Sequence, residues 1–340
     1  PAERLGRSIG LRNLYLKDDT VNPSASSKDR ASGAVVVRAM DAGATIVSAA
    51  STGNAGSSLA CIAAAAGLQA IVFVPESAPV AKLTQALSFG ATVLAVRGTY
   101  DDAFDLCMDA SKRFEWFNRS TGINPFTREG KKICAWEIWA ALEGRVPDRV
   151  IVPAGDGNIL SGMWKGWREL EKVGLIDRLP KIDCAQSNRS DAISRTIRRM
   201  SVSSQPDWAT ATPVSVEAST VADSISVDRP RDGLAATRAV IESGGIAVTV
   251  TDKQILTAIP EMASQSGIFP EPAAATPLAA AKMMVKQGLV AADEIVVCLV
   301  SGNGLKDIER ARTVTTEPLI IDPSLDAVEM AIAGIAKKAS

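Results

Sequence analysis

Short β-branched runs alternate along this chain with longer Ala-rich stretches of helical periodicity, and this alternation restricts the fold more than any single residue. Strands are predicted at Leu14–Lys17, Thr45–Ala49, Ala70–Val74, Thr92–Val96, Val150–Pro153, Ile182–Gln186, Ile246–Val250 and Ile295–Val300. Helices are predicted after most of them, at Asp29–Ala42, Asn54–Ala66, Val80–Phe89, Tyr100–Phe114, Gly130–Leu142, Ile159–Leu175, Asp232–Ser243, Asp252–Gln265 and Ala273–Gln287. The strands are apolar almost throughout, not at every second residue, so both faces need covering. Parallel or mixed sheets flanked by helices meet that need, and the fold class is α/β. No internal repeat is visible. The polar stretch Ser201–Pro213 reads as a surface excursion, and Ser324–Lys338 as a C-terminal helix added to the core. The chain opens at Pro1, close to the first strand, which leaves room for a preceding segment.

The sequence contains no histidine. Ser-His-Asp and Cys-His catalysis, His-ligated metals and imidazole bases are therefore excluded, and proton transfer near neutrality falls to Lys, a carboxylate, Tyr or a cofactor. Basic and acidic residues number 37 and 38, for a net charge of -1, which argues against a nucleic-acid partner. The cysteines Cys61, Cys107, Cys134, Cys184 and Cys298 are scattered without CxxC spacing, as expected of buried free thiols in a reducing cytoplasm. No run reaches transmembrane length, so no membrane partner and no metal are expected. With 340 residues, 46% of them hydrophobic, one large or two medium domains can form.

Four segments carry candidate chemistry. In Asn22–Arg30, small and turn-forming residues precede Lys28 at a predicted helix start. The positive end of a helix dipole disfavours an ammonium there and lowers its pKa, which suits a Schiff-base lysine. Ser51-Thr-Gly-Asn54-Ala-Gly56 joins a strand to a helix and offers N–H groups to a carboxylate or phosphate. Pro153-Ala-Gly155-Asp-Gly157-Asn158 does the same with two glycines, without GxGxxG or P-loop spacing. Ser301-Gly-Asn-Gly304 follows the last strand. The last three fall at strand carboxyl ends, where open α/β sheets place ligands. Taken singly, each of the four also fits an ordinary turn and helix cap, the first with a solvated Lys-Asp-Arg surface.

In their order these motifs resemble the fold-type II pyridoxal phosphate (PLP) enzymes, and within them the threonine synthase family. The resemblance spans nearly the whole chain and adds Val74-Pro75, Ala81–Leu83, Gly98–Ala103, Asn124-Pro125 with Glu129–Lys131, Trp164–Gly166 and Gly267–Ala273. It implies that Lys28 carries PLP as a Schiff base and then shuttles protons. It implies that Asn54 binds the cofactor's phenolic oxygen, and that Ser51 and Thr52 hold the substrate carboxylate. Gly155, Asp156, Gly157 and Asn158 would surround the cofactor phosphate, and Ser301 would meet the pyridine nitrogen. Glu271 would line the cofactor's other side. A neutral hydroxyl at the ring nitrogen favours elimination and replacement over transamination. The implied reaction is that of threonine synthase, O-phosphohomoserine and water giving threonine and phosphate. Residues 33–125 would form a small mobile domain, and residues 1–32 with 126–340 a large one, in a homodimeric cytoplasmic lyase of amino-acid biosynthesis.

Departures from the family pattern cluster where threonine synthases hold the substrate's phosphate. Ala55 stands in place of a hydroxyl residue, Asp156 in place of an asparagine, and Thr121-Gly122 in place of a polar pair. The family's Asn-Pro-aromatic-Arg reads Asn124-Pro-Phe-Thr127-Arg128, with the arginine one position late. Ser27 replaces an aromatic residue. Two outcomes are open: a paralogue with a changed leaving group, because Asp156 would repel a dianion, or retained phosphohomoserine binding with Arg128 swinging in. The rival chemistries are a serine/threonine dehydratase-like or cysteate synthase-like reaction. A non-catalytic amino-acid sensor on the same fold is a further alternative, and a nucleotide-binding protein is disfavoured by the missing phosphate motifs.

Overall fold

Every strand pairing in the computed structural model, which describes residues 1–202 and 207–339, is parallel. The strands are β1 (Asn13–Asp18), β2 (Ile46–Ala50), β3 (Gln69–Pro75), β4 (Thr92–Val96), β5 (Phe117–Asn118), β6 (Arg149–Pro153), β7 (Lys181–Ser187), β8 (Ala247–Val250) and β9 (Ile295–Val300). They form a five-stranded sheet in the order β1-β9-β6-β7-β8 and a four-stranded sheet in the order β4-β3-β2-β5. The register runs Asn13 against Ile295 to Asp18 against Val300 at one edge of the larger sheet, and Cys184 against Ala247 at the other. All five residues of β6 are buried, because helices cover the larger sheet on both faces. Leu278, Met284 and Met262 pack on one face; Met163, Trp167 and Ile138 pack on the other. A separate apolar cluster around Val47, Leu59 and Val72 fills the smaller sheet.

The helix Lys28–Asp41 lies against both the helix Phe126–Ala141 and the helix Asn54–Ala65, and so ties the two sheets together. Gly130 makes the first crossing possible, because a Cβ there would overlap the Arg30 carbonyl oxygen. The helix Phe126–Ala141 begins four residues before the expected Gly130, at the turn set by Pro125. A short helix, Glu3–Ile9, precedes β1 and was not expected; seven residues are too few to show a period. The helix Ala192–Met200 and the two-residue β5 also lacked a sequence signal. β5 exists through its pairing with Val47 and Ser48 of β2.

Residues 203–206 of the polar excursion lie outside the described residues. From Val214 to Asp232 the chain is mostly irregular but anchored, with Ser190 Oγ donating to the Ile225 carbonyl at 3.0 Å and Thr220 Oγ1 donating to Asp252 at 2.6 Å. These anchors bring Ile225 against Gly155. All five cysteines are buried and free. Among the described residues no helix is long and apolar enough to cross a membrane.

Candidate active site

The segments around Lys28 and Ser301 are stitched together by backbone. Ser27 N–H donates to the Ser301 carbonyl at 2.8 Å and Asn303 N–H to the Ala25 carbonyl at 3.0 Å. Lys28 is the first residue of its helix, as the sequence implied. Its neighbours are not a solvated charge cluster. Asp29 turns inward to accept from Ser24 N–H at 2.7 Å and Ser24 Oγ at 2.5 Å, and Arg30 binds Asp19 and Glu137. Lys28 itself is partly accessible to solvent. Its pKa is lowered chiefly by burial and further by Arg119, against the opposing pull of Glu271 and Asp156.

Asn54 begins its helix after an N-cap, Gly53, that makes no side-chain cap bond. Its amide donates to both Glu271 carboxylate oxygens at 3.0 Å and to Ser224 Oγ at 3.3 Å. Glu271 is buried, which raises its pKa; the Asn54 bond and Lys28 act the other way. Gly302 is required beside it, since a Cβ there would come within 2.6 Å of the Glu271 carboxyl group. Ser51, Thr52 and Ala55 remain partly exposed, and Ser51 Oγ accepts from Gly53 N–H at 3.2 Å. In the Ser301 segment the cap reading also holds, because Asn303 caps the following turn through Leu305 N–H at 2.9 Å.

At the end of β6, Gly157 takes a left-handed φ of 85° and starts the helix Asn158–Lys172 without a side-chain cap. The first-turn N–H groups of that helix therefore have no intrahelical partner and present positive potential to an anion. Asp156 is held in place by the end of the irregular stretch Val214–Asp232: its Oδ1 accepts from Arg231 N–H at 3.1 Å and its carbonyl from Asp232 N–H at 2.9 Å. Burial raises the Asp156 pKa, opposed by the Arg231 N–H bond and by Arg231 and Lys131. Asn158 is enclosed in a network, accepting from Lys131 Nζ and donating to Asp232 and to Thr127 Oγ1, the last at 3.2 Å. Arg128 is ion-paired to Asp232.

Several groups near these segments had no role assigned from sequence. Arg119 and Lys131 are each 1% exposed; Arg119 disfavours charge on both Lys28 and Lys131, and Lys28 disfavours it on Lys131. Among the described residues no carboxylate lies within ion-pair distance of any of the three. Burial, together with Lys28 and Arg119, drives Lys131 well below the usual lysine range. Burial brings Arg119 down to about 10, so it stays charged at neutrality. Arg231 stacks over Phe104 with its guanidinium 3.8 Å from the ring centroid, and Tyr100 donates to the Ala50 carbonyl at 3.1 Å. Lys131 and Tyr100 stood inside recognised motifs, whereas Arg119, Ser224, Arg231 and Asp232 stood in none that assigned them chemistry.

Residues 1–302 match the profile of pyridoxal-phosphate dependent enzymes. This chain belongs to that family. A threonine synthase from Methanocaldococcus jannaschii is 36% identical over 326 residues, spanning 96% of this chain and 78% of that protein. A threonine synthase from Halalkalibacterium halodurans is 33% identical over 324 residues, spanning 94% and 86%. Threonine deaminase isoform 2 from Solanum lycopersicum superposes with a TM-score of 0.74 at 18% identity, covering 92% of this chain and 85% of that one. Serine racemase from Dictyostelium discoideum does so with 0.69 at 22% identity, covering 88% and 89%. The fold is thus fold-type II, and the cofactor of this pyridoxal-phosphate enzyme is pyridoxal 5'-phosphate.

The residues present fit that cofactor. An amine whose ammonium form is disfavoured can condense with an aldehyde. An uncapped helix start can take a phosphate.

Proposed function

We propose that this chain is an elimination or replacement enzyme for a small amino acid, of the threonine synthase kind. The observation that carries the reading is the amine of Lys28, placed at a helix start beside Ser301 and Glu271 with its pKa lowered by burial. When bound, pyridoxal phosphate supplies an electron sink for the negative charge left at the substrate's α carbon.

The remaining work falls to the chain's own groups. Lys28 would hold the cofactor and then take the proton from Cα as a free amine, a form that its lowered pKa favours. Ser51 and Thr52 would orient the substrate carboxylate with the N–H groups of their turn. Gly155, Asp156, Gly157 and Asn158 would surround the cofactor phosphate at the helix start. Asn54 would bind the cofactor's phenolic oxygen, its amide already positioned by Glu271 and Ser224. Ser301 would bind the ring nitrogen as a neutral partner, which suits loss of a side-chain leaving group. The M. jannaschii and H. halodurans relatives favour O-phosphohomoserine as substrate, with threonine and phosphate as products.

Residues 33–125 would move as a unit over residues 1–32 and 126–340 to exclude water. Lys306 supports this assignment, reaching across to Ser57 Oγ at 3.2 Å and Gln85 Oε1 at 2.6 Å. Because the helix Lys28–Asp41 runs unbroken through residue 33, residues 33–41 would stay with the larger part, and the moving part would begin at the helix's C-terminal end with a second bend near Ser120–Asn124.

The test combines spectroscopy with product analysis. The purified protein is expected to show the absorbance of lysine-bound cofactor, and borohydride reduction should fix the label on Lys28. Incubation with O-phospho-L-homoserine should release phosphate and form threonine. A cofactor band of unchanged intensity in Lys28→Ala would overturn the assignment of the lysine. Deamination of serine or threonine in preference to phosphate release would move the reaction to the dehydratase class.

A further inference from the structure

The family spacing puts an arginine two positions after Pro125, and here that position is Thr127, with Arg128 one place later. Neither side chain is at liberty to receive a substrate anion. Thr127 Oγ1 donates to the Asn124 carbonyl at 2.8 Å and accepts from Asn158 at 3.2 Å. Arg128 is ion-paired to Asp232, although its Nε is buried without a hydrogen-bond partner. Arg119, one residue past β5, differs from Arg128 in having only hydroxyl partners and no carboxylate. Its Nε donates to Ser32 Oγ at 3.3 Å and its Nη1 to Thr121 Oγ1 at 3.1 Å, both neutral partners. Its Nη2 is buried with no partner at all, and so is the Oγ of the adjacent Ser120. A fully buried guanidinium with only hydroxyl contacts is unfavourable unless an anion completes it.

We infer that Arg119 is the specificity-determining residue for an oxyanion on the substrate's side chain, replacing in space the arginine that the family motif lacks at Thr127. The inference rests on the elimination-replacement reading above and narrows its substrate to amino acids with a phosphate or carboxylate on the side chain. Lys131 is a poor alternative, because its amine is committed to Asn158 and its neighbours disfavour its charge. Asp156 is a weaker obstacle to such an anion than its sequence position suggests, since its Oδ1 is already taken up by the Arg231 N–H at 3.1 Å. A guanidinium can also grip two oxyanion atoms at once through paired N–H groups, which an ammonium cannot.

The experiment measures binding to the holoenzyme, read from the cofactor absorbance, for wild type, Arg119→Lys and Arg119→Gln. The ligands are O-phospho-L-homoserine, L-glutamate and uncharged O-acetyl-L-homoserine. A second readout is calorimetric binding of inorganic phosphate to each holoenzyme. Wild type should favour one of the two anionic amino acids, and which one identifies phosphate or carboxylate. Arg119→Gln should lose that preference by roughly 100-fold, the scale of one charged hydrogen-bonding group, with binding of the acetyl compound little changed. Arg119→Lys should retain part of the preference and shows that the cofactor site survives substitution. Phosphate binding should weaken in parallel. Equal loss for all three amino acids would mean that Arg119 reads the α-carboxylate and would overturn the inference, as would an undiminished anion preference in Arg119→Gln. If no amino acid perturbs the wild-type absorbance, the elimination-replacement reading fails, a result distinct from either.

Discussion

Around Arg30 and around Arg119 the same kind of side chain is buried under opposite conditions. Arg30 binds Asp19 through Nε at 2.8 Å and Nη2 at 2.7 Å, and Glu137 at 2.9 and 2.6 Å. Lys17 joins both carboxylates at 3.0 and 2.9 Å. Burial opposes charge on Arg30, yet the bonds to Asp19 and Glu137 outweigh it and hold its pKa above the usual range. Burial likewise works against charge on Glu137, yet Arg30 and Lys17 bring it down to about 2. Arg119 has two hydroxyl partners, one empty N–H group and a pKa reduced to about 10. The first cluster is complete within the folded chain and serves to fix β1 against the helices Lys28–Asp41 and Phe126–Ala141. The second is incomplete until something anionic binds. Satisfied buried charge marks structure, and unsatisfied buried charge in a crevice marks function.

Lys28→Ala should give the largest effect, a loss of amino-acid turnover on the order of 10⁴-fold or more, at the upper end of what a placed acid-base group contributes. Steady-state kinetics with O-phosphohomoserine checks it, and turnover within tenfold of wild type would place the chemistry elsewhere. Next, Asp19→Asn should destabilise by about 3–5 kcal/mol, because Arg30 and Lys17 would keep their charges without their most buried partner. Urea unfolding measures this, and a change below about 1 kcal/mol would erase the contrast between the clusters. Arg119→Met should do the reverse in ligand-free protein, leaving stability unchanged or raising it by about 1–2 kcal/mol, since an apolar side chain avoids the desolvation of an unpaired ion. A marked fall in melting temperature would assign Arg119 to structure.

The smallest expected effect concerns acid. The pKa of Glu137 lies below the value of 4.5 it would have when unfolded. Its contribution to stability is therefore complete above pH 4.5 and is lost as pH falls toward about 2. Because Glu137 is partly exposed, solvent screening makes that contribution modest. Comparing Glu137→Gln with wild type across this range should give a shallower acid slope in the variant; parallel slopes would show that Glu137 gains nothing from its two cations.

Every strand but β5 was legible to within about one residue because each is an apolar run ended by a turn, a composition that burial on both faces requires in strands such as β6. Lys28 and Asn54 were legible because each opens a helix after small residues, a local arrangement that spacing can display. The network joining Arg128 and Asn158 to Asp232 was not, since its members are 104 and 74 residues apart. The Asn54–Glu271 bond spans 217 residues. Nothing local announces Arg119 either, since it follows a strand of two residues that exists only by pairing with β2. Lys131 lay within a recognised motif, but its burial depends on how the helix Phe126–Ala141 meets the helix Asn158–Lys172.

The order of strands and helices, the lysine at a helix start, the two turns fit for anions and the absence of imidazole chemistry follow from the amino-acid sequence alone. All are properties of short segments, set by side-chain period and backbone freedom. Which charges end up paired was decided only by tertiary packing. Pairing depends on distances between segments remote along the chain, and burial then multiplies the consequence, because a charge removed from water must find its partner in the fold or in a ligand.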